Sequence, residues 1–218
     1  MKKKRIIENW NLYVITDEQL GRGRTHLELA REAIAGGAEV IQLRDKAASG
    51  KKLYDVGLEL RRLTQEKKVT FIINDRVDLA MLVEADGVHI GQTDFPARAV
   101  RRLIGPSKIL GVSVASLSEA IQAEADGADY LGVGPVFEAR KTKSDAGNPL
   151  GLEILQQIRN NCCIPIVAIG GINSEKVAGV IQAGADAVAI ISAIISAENV
   201  SESARQIKSI ILKEKNIK

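Results

Sequence analysis

The stretch Ile164–Ile194, IPIVAIGGINSEKVAGVIQAGADAVAIISAI, decides how the rest of the chain is read. It holds two short apolar, β-branched runs, Ile164–Ile169 and Ala187–Ile191, separated by a segment whose apolar residues recur at helical spacing. The first run ends in Gly170-Gly171 and the second in Ser192. Gly184-Ala185-Asp186 stands where the helical segment gives way to the second run. Related triplets head three other apolar runs: Gly37-Ala38-Glu39, Ala85-Asp86-Gly87 and Gly127-Ala128-Asp129.

Working outward, six more runs of the same kind appear: Leu12–Thr16, Val40–Leu43, Thr70–Ile73, Gly87–Ile90, Ile109–Val112 and Tyr130–Val133. Helical patterns lie between them. Thr25 with Glu28 and Ser116 with Glu119 predict capping boxes, and Gly36-Gly37 can end the helix that Thr25 starts. Stripes such as Leu27/Ala30/Ile34, Leu53/Val56/Leu60/Leu63 and Ala97/Val100/Leu103 predict core-facing sides. Eight β/α units in 218 residues predict a (β/α)8 TIM barrel, one domain spanning 1–218. The alternative is an open doubly wound sheet, but no G-x-G-x-x-G follows the first run. The triplets head only the even-numbered runs, so the repeating unit reads as two β/α pairs, a quarter of a closed structure.

Composition agrees: 45% hydrophobic and 26% charged residues exclude disorder, collagen and coiled coil. With 19 glycines and 3% aromatics, the expected core is built from Ala, Val, Ile and Leu. The net charge is +3, yet Lys2, Lys3, Lys4 and Arg5 contribute four positive charges and 213–218 a net two, which leaves −3 for the body. The expectation is therefore basic, frayed tails at 1–8 and 213–218 and no nucleic-acid partner, since no basic face with interleaved aromatics is written into the body. Cys162 and Cys163 are adjacent, a poor geometry for a disulfide and no metal-ligand spacing, so reduced thiols and a cytoplasmic protein are expected. Ala187–Ala197, the longest weakly polar run, is shorter than the ~20 residues of a membrane span, so the chain is expected to be soluble, with no membrane partner. The sequence allows a homo-oligomer without specifying one.

In a barrel, the chemistry sits where strands run into their following loops. Those ends read Gln42, Arg44 and Lys46; Asn74 and Asp75; Gln92 and Asp94; Ser113; Thr142 and Lys143; Gly170 and Gly171; Ile191 and Ser192. The glycine pair and the Ile191-Ser192 turn follow strands seven and eight, where barrels often bind phosphate through backbone N–H groups. Arg44, Lys46 and Lys143 exceed what one phosphate monoester needs, and Asp75 and Asp94 stand among them. Read singly, each acid is a helix cap. Read together on adjacent strand ends, they predict a hard cation, Mg²⁺, shared with a diphosphate. His26 and His89 have no Cys, Ser or second His at useful spacing and read as structural. Without a nucleophile or proton relay, the expected chemistry is departure of a diphosphate and attack by a neutral group.

The motifs LYVITD (Leu12–Asp17), QLRDK (Gln42–Lys46), IND (Ile73–Asp75), GVHIGQTD (Gly87–Asp94), GVS (Gly111–Ser113), GPVF followed by TKSDAG (Gly134–Gly147), AIGGI (Ala168–Ile172) and ISAI (Ile191–Ile194) resemble the thiamine-phosphate synthase family, in family order over nearly the whole chain. The resemblance implies a transferase that joins 4-amino-2-methyl-5-(diphosphooxymethyl)pyrimidine to 4-methyl-5-(2-phosphooxyethyl)thiazole, releasing diphosphate. It implies that Gln42, Arg44, Lys46, Asn74, Ser113 and Lys143 bind the pyrimidine diphosphate. Asp75 and Asp94 would bind Mg²⁺, and Thr142, Gly171, Ile191 and Ser192 the thiazole phosphate. Diphosphate would leave first, and the thiazole nitrogen would capture the resulting methylene cation. Where the family usually reads Pro-Thr-x-Thr-Lys after GPVF, this chain has Glu138-Ala139-Arg140-Lys141 before Thr142-Lys143. Ser144-Asp145-Ala146 aligns the family lysine with Lys143, with Lys141 as the rival. A thiazole tautomerase would share the barrel but carry a His where Pro135 stands, and a non-catalytic ligand-binding barrel would have no use for the acids and cations together.

Overall fold

The computed structural model describes residues 6–139 and 148–216. Eight parallel strands close a barrel in sequence order: β1 Leu12–Thr16, β2 Val40–Leu43, β3 Thr70–Asn74, β4 Gly87–Ile90, β5 Ile109–Val114, β6 Tyr130–Val133, β7 Ile166–Ile169 and β8 Ala187–Ile190. Closure is made by β1 against β8, with Tyr13 opposite Ala189. The helices that follow β1 among the described residues are α1 His26–Ala35, α2 Gly50–Lys67, α3 Val77–Leu82, α4 Ala97–Ile104, α5 Leu117–Ala125, α6 Glu153–Asn161, α7 Val177–Gln182, α8 Ser192–Ile195 and α9 Val200–Asn216. Among the described residues, no helix is long and apolar enough to cross a membrane.

The predicted runs and the strands agree closely, and their differences have local causes. β7 begins at Ile166 because Pro165 has no N–H to give a ladder. The Thr25 capping box is complete, with the hydroxyl accepting from Glu28 N and the Glu28 carboxylate accepting from Thr25 N. Ser116 caps α5, but the Glu119 carboxylate takes the N–H of Ala115 rather than that of the cap. In α4 the buried stripe is Val100 and Ile104, while Leu103 faces outward, 66% exposed. The basic C-terminal segment from Lys213 to Asn216 is helical and not frayed: Lys215 Nζ donates to Trp10 O and Asn11 Oδ1, tying α9 to the start of β1. Residues 1–5, 217 and 218 lie outside the described residues.

Two cores result. The larger lies between strands and helices, and its only aromatic residues are Phe71 and partly buried Phe137. The smaller fills the barrel, and there the expectation of a purely aliphatic core fails: Trp10, Tyr13 and Tyr130 pack with ring centroids 5.2–6.2 Å apart. Bulk is needed at the barrel axis, and glycines make room for it. A Cβ at Gly111 would strike the Tyr130 ring, and one at Gly132 would lie 2.7 Å from His89 Cε1.

The repeated triplets acquire a physical meaning at the N-terminal ends of the strands. Asp129 N–H donates to Leu110 O, and its Oδ2 accepts the N–H of the same Leu110 while also meeting the Arg101 guanidinium. Asp86 does this with Phe71 and Arg61, and Asp186 with Ile166 and Arg159. Glu39 repeats it with Leu12, its cation supplied by Lys208 of α9. Each clamp joins an odd strand and the next even strand to a helix, which precedes the odd strand in three of the four and is the last helix, α9, at β1. The quarter-barrel repeat read from the sequence is thus a set of four acid clamps on the face opposite the strand C-termini.

Candidate active site

A cavity of about 850 Å³ opens at the C-terminal ends of the strands. Of the twelve residues to which the resemblance gives a binding role, Arg44, Lys46, Asn74, Asp75, Asp94, Ser113, Gly171, Ile191 and Ser192 line it. Thr142 and Lys143, with their rival Lys141, lie outside the described residues. Gln42 is not on the wall: it is 2% exposed inside the barrel, and its Nε2 donates to Tyr13 Oη at 2.6 Å.

The cationic wall follows β2. Arg44 Nη1 is held 3.2 Å from Asp17 Oδ2, a partner from the LYVITD motif that the sequence reading left without a role. Lys46 Nζ lies 3.9 Å from Asp75 Oδ2. Asp75 itself has φ +60, a left-handed backbone that Asp tolerates better than most residues, and its N–H donates to His89 O at 2.8 Å. Asp94 Oδ2 accepts from Gly91 N at 2.7 Å and closes the turn after β4.

These acids do not serve as helix caps. The residues at the cap positions of α3 and α4 are Arg76 and Pro96, and neither makes a side-chain cap bond. Two carboxylates on adjacent strand ends, on one cavity wall with a lysine and an arginine, form an oxygen donor set suited to a hard cation such as Mg²⁺. Across the mouth, Gly171 adopts φ +62, where a Cβ would lie 2.5 Å from Glu138 O, so this turn admits glycine and keeps its backbone open to the cavity. Ile190, Ile191 and Ser192 complete that side as β8 passes into α8.

Beneath the cavity runs a polar chain. Gln42 Nε2 can only donate, so Tyr13 Oη accepts from it. Tyr13 Oη and Tyr130 Oη are 3.1 Å apart, Tyr130 Oη and His89 Nδ1 2.9 Å, and His89 Nε2 and Ser113 Oγ 2.8 Å. Burial pushes both phenols well above their ordinary pKa, so each keeps its proton. Every link is satisfied when Tyr13 donates to Tyr130, Tyr130 to His89, and His89 Nε2–H to Ser113, leaving the serine O–H to donate into the cavity. His89 is therefore structural in the sense expected, but it also lines the site and orients Ser113. Gln92, whose Nε2 donates to Ser113 O, joins it. Both belong to GVHIGQTD, a motif in which sequence order alone shows no link to Ser113.

Comparisons with known proteins follow the same lines. A family model described as thiamine monophosphate synthase matches residues 12–194. The thiamine-phosphate synthase of Moorella thermoacetica is 54% identical over 202 residues, 93% of this chain and 96% of that protein. That of Chloroflexus aurantiacus is 53% identical over 205 residues, 94% of each. Among solved structures, a thiamine phosphate pyrophosphorylase from Pyrococcus furiosus aligns with TM-score 0.88 at 42% identity, covering 96% of this chain and 98% of that one.

Proposed function

Because the chain belongs to the thiamine monophosphate synthase family, and is a transferase of thiamine biosynthesis that makes thiamine phosphate, we propose that the cavity at the strand ends holds both of its phosphorylated substrates with a Mg²⁺ ion. The observation that carries this reading is the joint presence of Arg44, Lys46, Asp75 and Asp94 on one wall and the Gly171 and Ser192 turns on the other. Arg44, Lys46 and Lys143 carry the diphosphate of the pyrimidine substrate, and Asp17 fixes the aim of Arg44. Asn74 and Ser113 orient the pyrimidine, with His89 holding the serine oxygen. Gln42 acts from below through Tyr13, as a positioning residue for the floor. Gly171, Ile191, Ser192 and Thr142 take the thiazole phosphate.

Asp75 and Asp94 would hold the Mg²⁺, which supplies positive charge to the departing diphosphate when bound. The methylene C–O bond breaks with its electron pair leaving on diphosphate. The lone pair of the thiazole nitrogen then forms the C–N bond, and no proton is transferred. The cationic side chains stabilise the charge that develops on the leaving group. Nothing in this sequence of steps asks for a general base, in keeping with a cavity whose imidazole, His89, is engaged at both nitrogens. Two free cysteines, one exposed, suit work in the reducing cytoplasm.

A coupled assay tests the reading: thiamine phosphate and diphosphate should form only when both substrates and Mg²⁺ are present. Turnover with either substrate omitted, or none with all three, would overturn it. The same assay settles the altered sixth loop. Lys143→Ala should lower kcat/KM by about 100-fold or more, the scale of losing one charge-stabilising donor, and Lys141→Ala by much less. The reverse order would assign the role to Lys141.

A further inference from the structure

Outside the cavity, Glu18, His26 and Asp45 bring one ligand atom each within 4.8 Å of one another, and none of the three lines the cavity wall. His26 is 1% exposed, and its Nε2 has no hydrogen-bond partner. The protonation of the ring follows from its other nitrogen. Thr16 Oγ1 lies 3.2 Å from Gln42 O, to which it can donate, and 2.8 Å from His26 Nδ1, to which it donates or from which it accepts according to the tautomer. When the hydroxyl proton goes to Gln42 O, Nδ1 carries the imidazole proton and Nε2 a lone pair. That lone pair faces Asp45 Oδ2 at 3.6 Å, which is also an acceptor. Asp45 is not free to turn away, because its Oδ1 accepts from Ala47 N and Ala48 N. Burial pushes the pKa of His26 below its usual value, which favours the neutral ring.

In that tautomer two acceptors face each other in a buried place, and a cation between them satisfies both. We propose that His26 Nε2, Asp45 Oδ2 and Glu18 form a binding site for a divalent transition metal ion of the zinc class, distinct from the Asp75–Asp94 pair. A neutral imidazole whose far N–H is held by an oxygen is the usual presentation of a metal-binding histidine. Nitrogen and carboxylate oxygen at about 2.0–2.2 Å are ordinary zinc distances, so the 4.8 Å envelope must contract modestly around the ion. Glu18 is at present paired with Lys52 at 2.6 Å, and the lysine, half exposed, has solvent into which to withdraw. The bound ion would fasten the loop after β1 to the loop after β2, the segment that carries Arg44 and Lys46.

The test uses the full-length protein, stripped by a chelator and titrated with Co²⁺, in an Asp75→Asn/Asp94→Asn background that removes the other carboxylate pair. One equivalent of Co²⁺ should bind with visible d–d absorption and be displaced by Zn²⁺. Thr16→Val, which removes the outer partner of Nδ1, should weaken binding about 10–100-fold. Asp45→Asn should weaken it further, yet in chelator its melting temperature should match or exceed that of the parent. The new Nδ2–H can donate to His26 Nε2 while Oδ1 keeps its two backbone bonds, so the loss of metal cannot be a loss of fold. Absence of Co²⁺ uptake by the parent, or equal uptake by Asp45→Asn, would overturn the proposal.

Discussion

Replacing Asp75 or Asp94 with alanine should cut diphosphate release by about 1,000-fold or more, since a metal at a developing anion supplies several kcal/mol and each ~1.4 kcal/mol is a factor of ten. Without a carboxylate, the wall keeps the cations Arg44 and Lys46, which do not recruit Mg²⁺. The asparagine variants separate this from damage to the fold. Asp75 has φ +60, a conformation asparagine also accepts, and an asparagine at 94 can still receive the Gly91 N–H through its carbonyl oxygen. Both should melt like the parent and still fail in the assay. Full turnover in any of these variants, or in excess chelator, would refute the assignment of the acids to the metal.

The second large effect is on stability. Asp129→Ala removes the acceptor for Leu110 N–H and strands the Arg101 guanidinium, 18% exposed, without its carboxylate. Removing one partner of a buried pair costs about 3–5 kcal/mol and a charged hydrogen bond about 1.5–3. With Asp129 still 16% exposed and Arg101 also bonded to three backbone carbonyls, we expect about 3 kcal/mol. In a domain of this size that is a fall in Tm of roughly 6–12 °C. Asp186→Ala breaks the equivalent clamp where the acid is 42% exposed and should cost clearly less. Urea unfolding measures both. Equal losses, or a loss under about 1 kcal/mol at Asp129, would show that the clamps are incidental to stability. The kcat of folded Asp129→Ala should be unchanged, because the clamp lies at the far end of the barrel from the cavity.

Much of this architecture is legible in the sequence because its signals are local. An eight-fold alternation of short β-branched runs and helical patterns needs no long-range information, and the barrel rule then points to Arg44, Asp75, Asp94 and Ser192 as neighbours. What escapes is whatever depends on partners far along the chain. His89 gains its role from Ser113, 24 positions away, and Tyr130, 41 away. The relation of His26 to Thr16 and Asp45 is invisible until β1 and β2 are paired. Gln42 reads as a wall residue from its place in QLRDK, yet strand alternation turns it inward to Tyr13. The triplets were visible as a pattern, but their purpose depends on Arg61, Arg101, Arg159 and Lys208, none of which is adjacent to an acid in sequence.

The four clamps also differ in how much chain must be gathered to make them. Those of Asp86, Asp129 and Asp186 are completed within segments whose bonded residues are at most 28 positions apart, so each can form while the remainder of the chain is still unfolded. The fourth waits for α9, whose Lys208 reaches Gly37 across 171 positions as well as Glu39. Loop-closure entropy grows only with the logarithm of length, so this last joint costs little more than the others once its two sides are built. The barrel is thereby divided into three quarters clamped by nearby chain and one seam, where β1 meets β8 and a lysine from the last helix completes the fourth clamp.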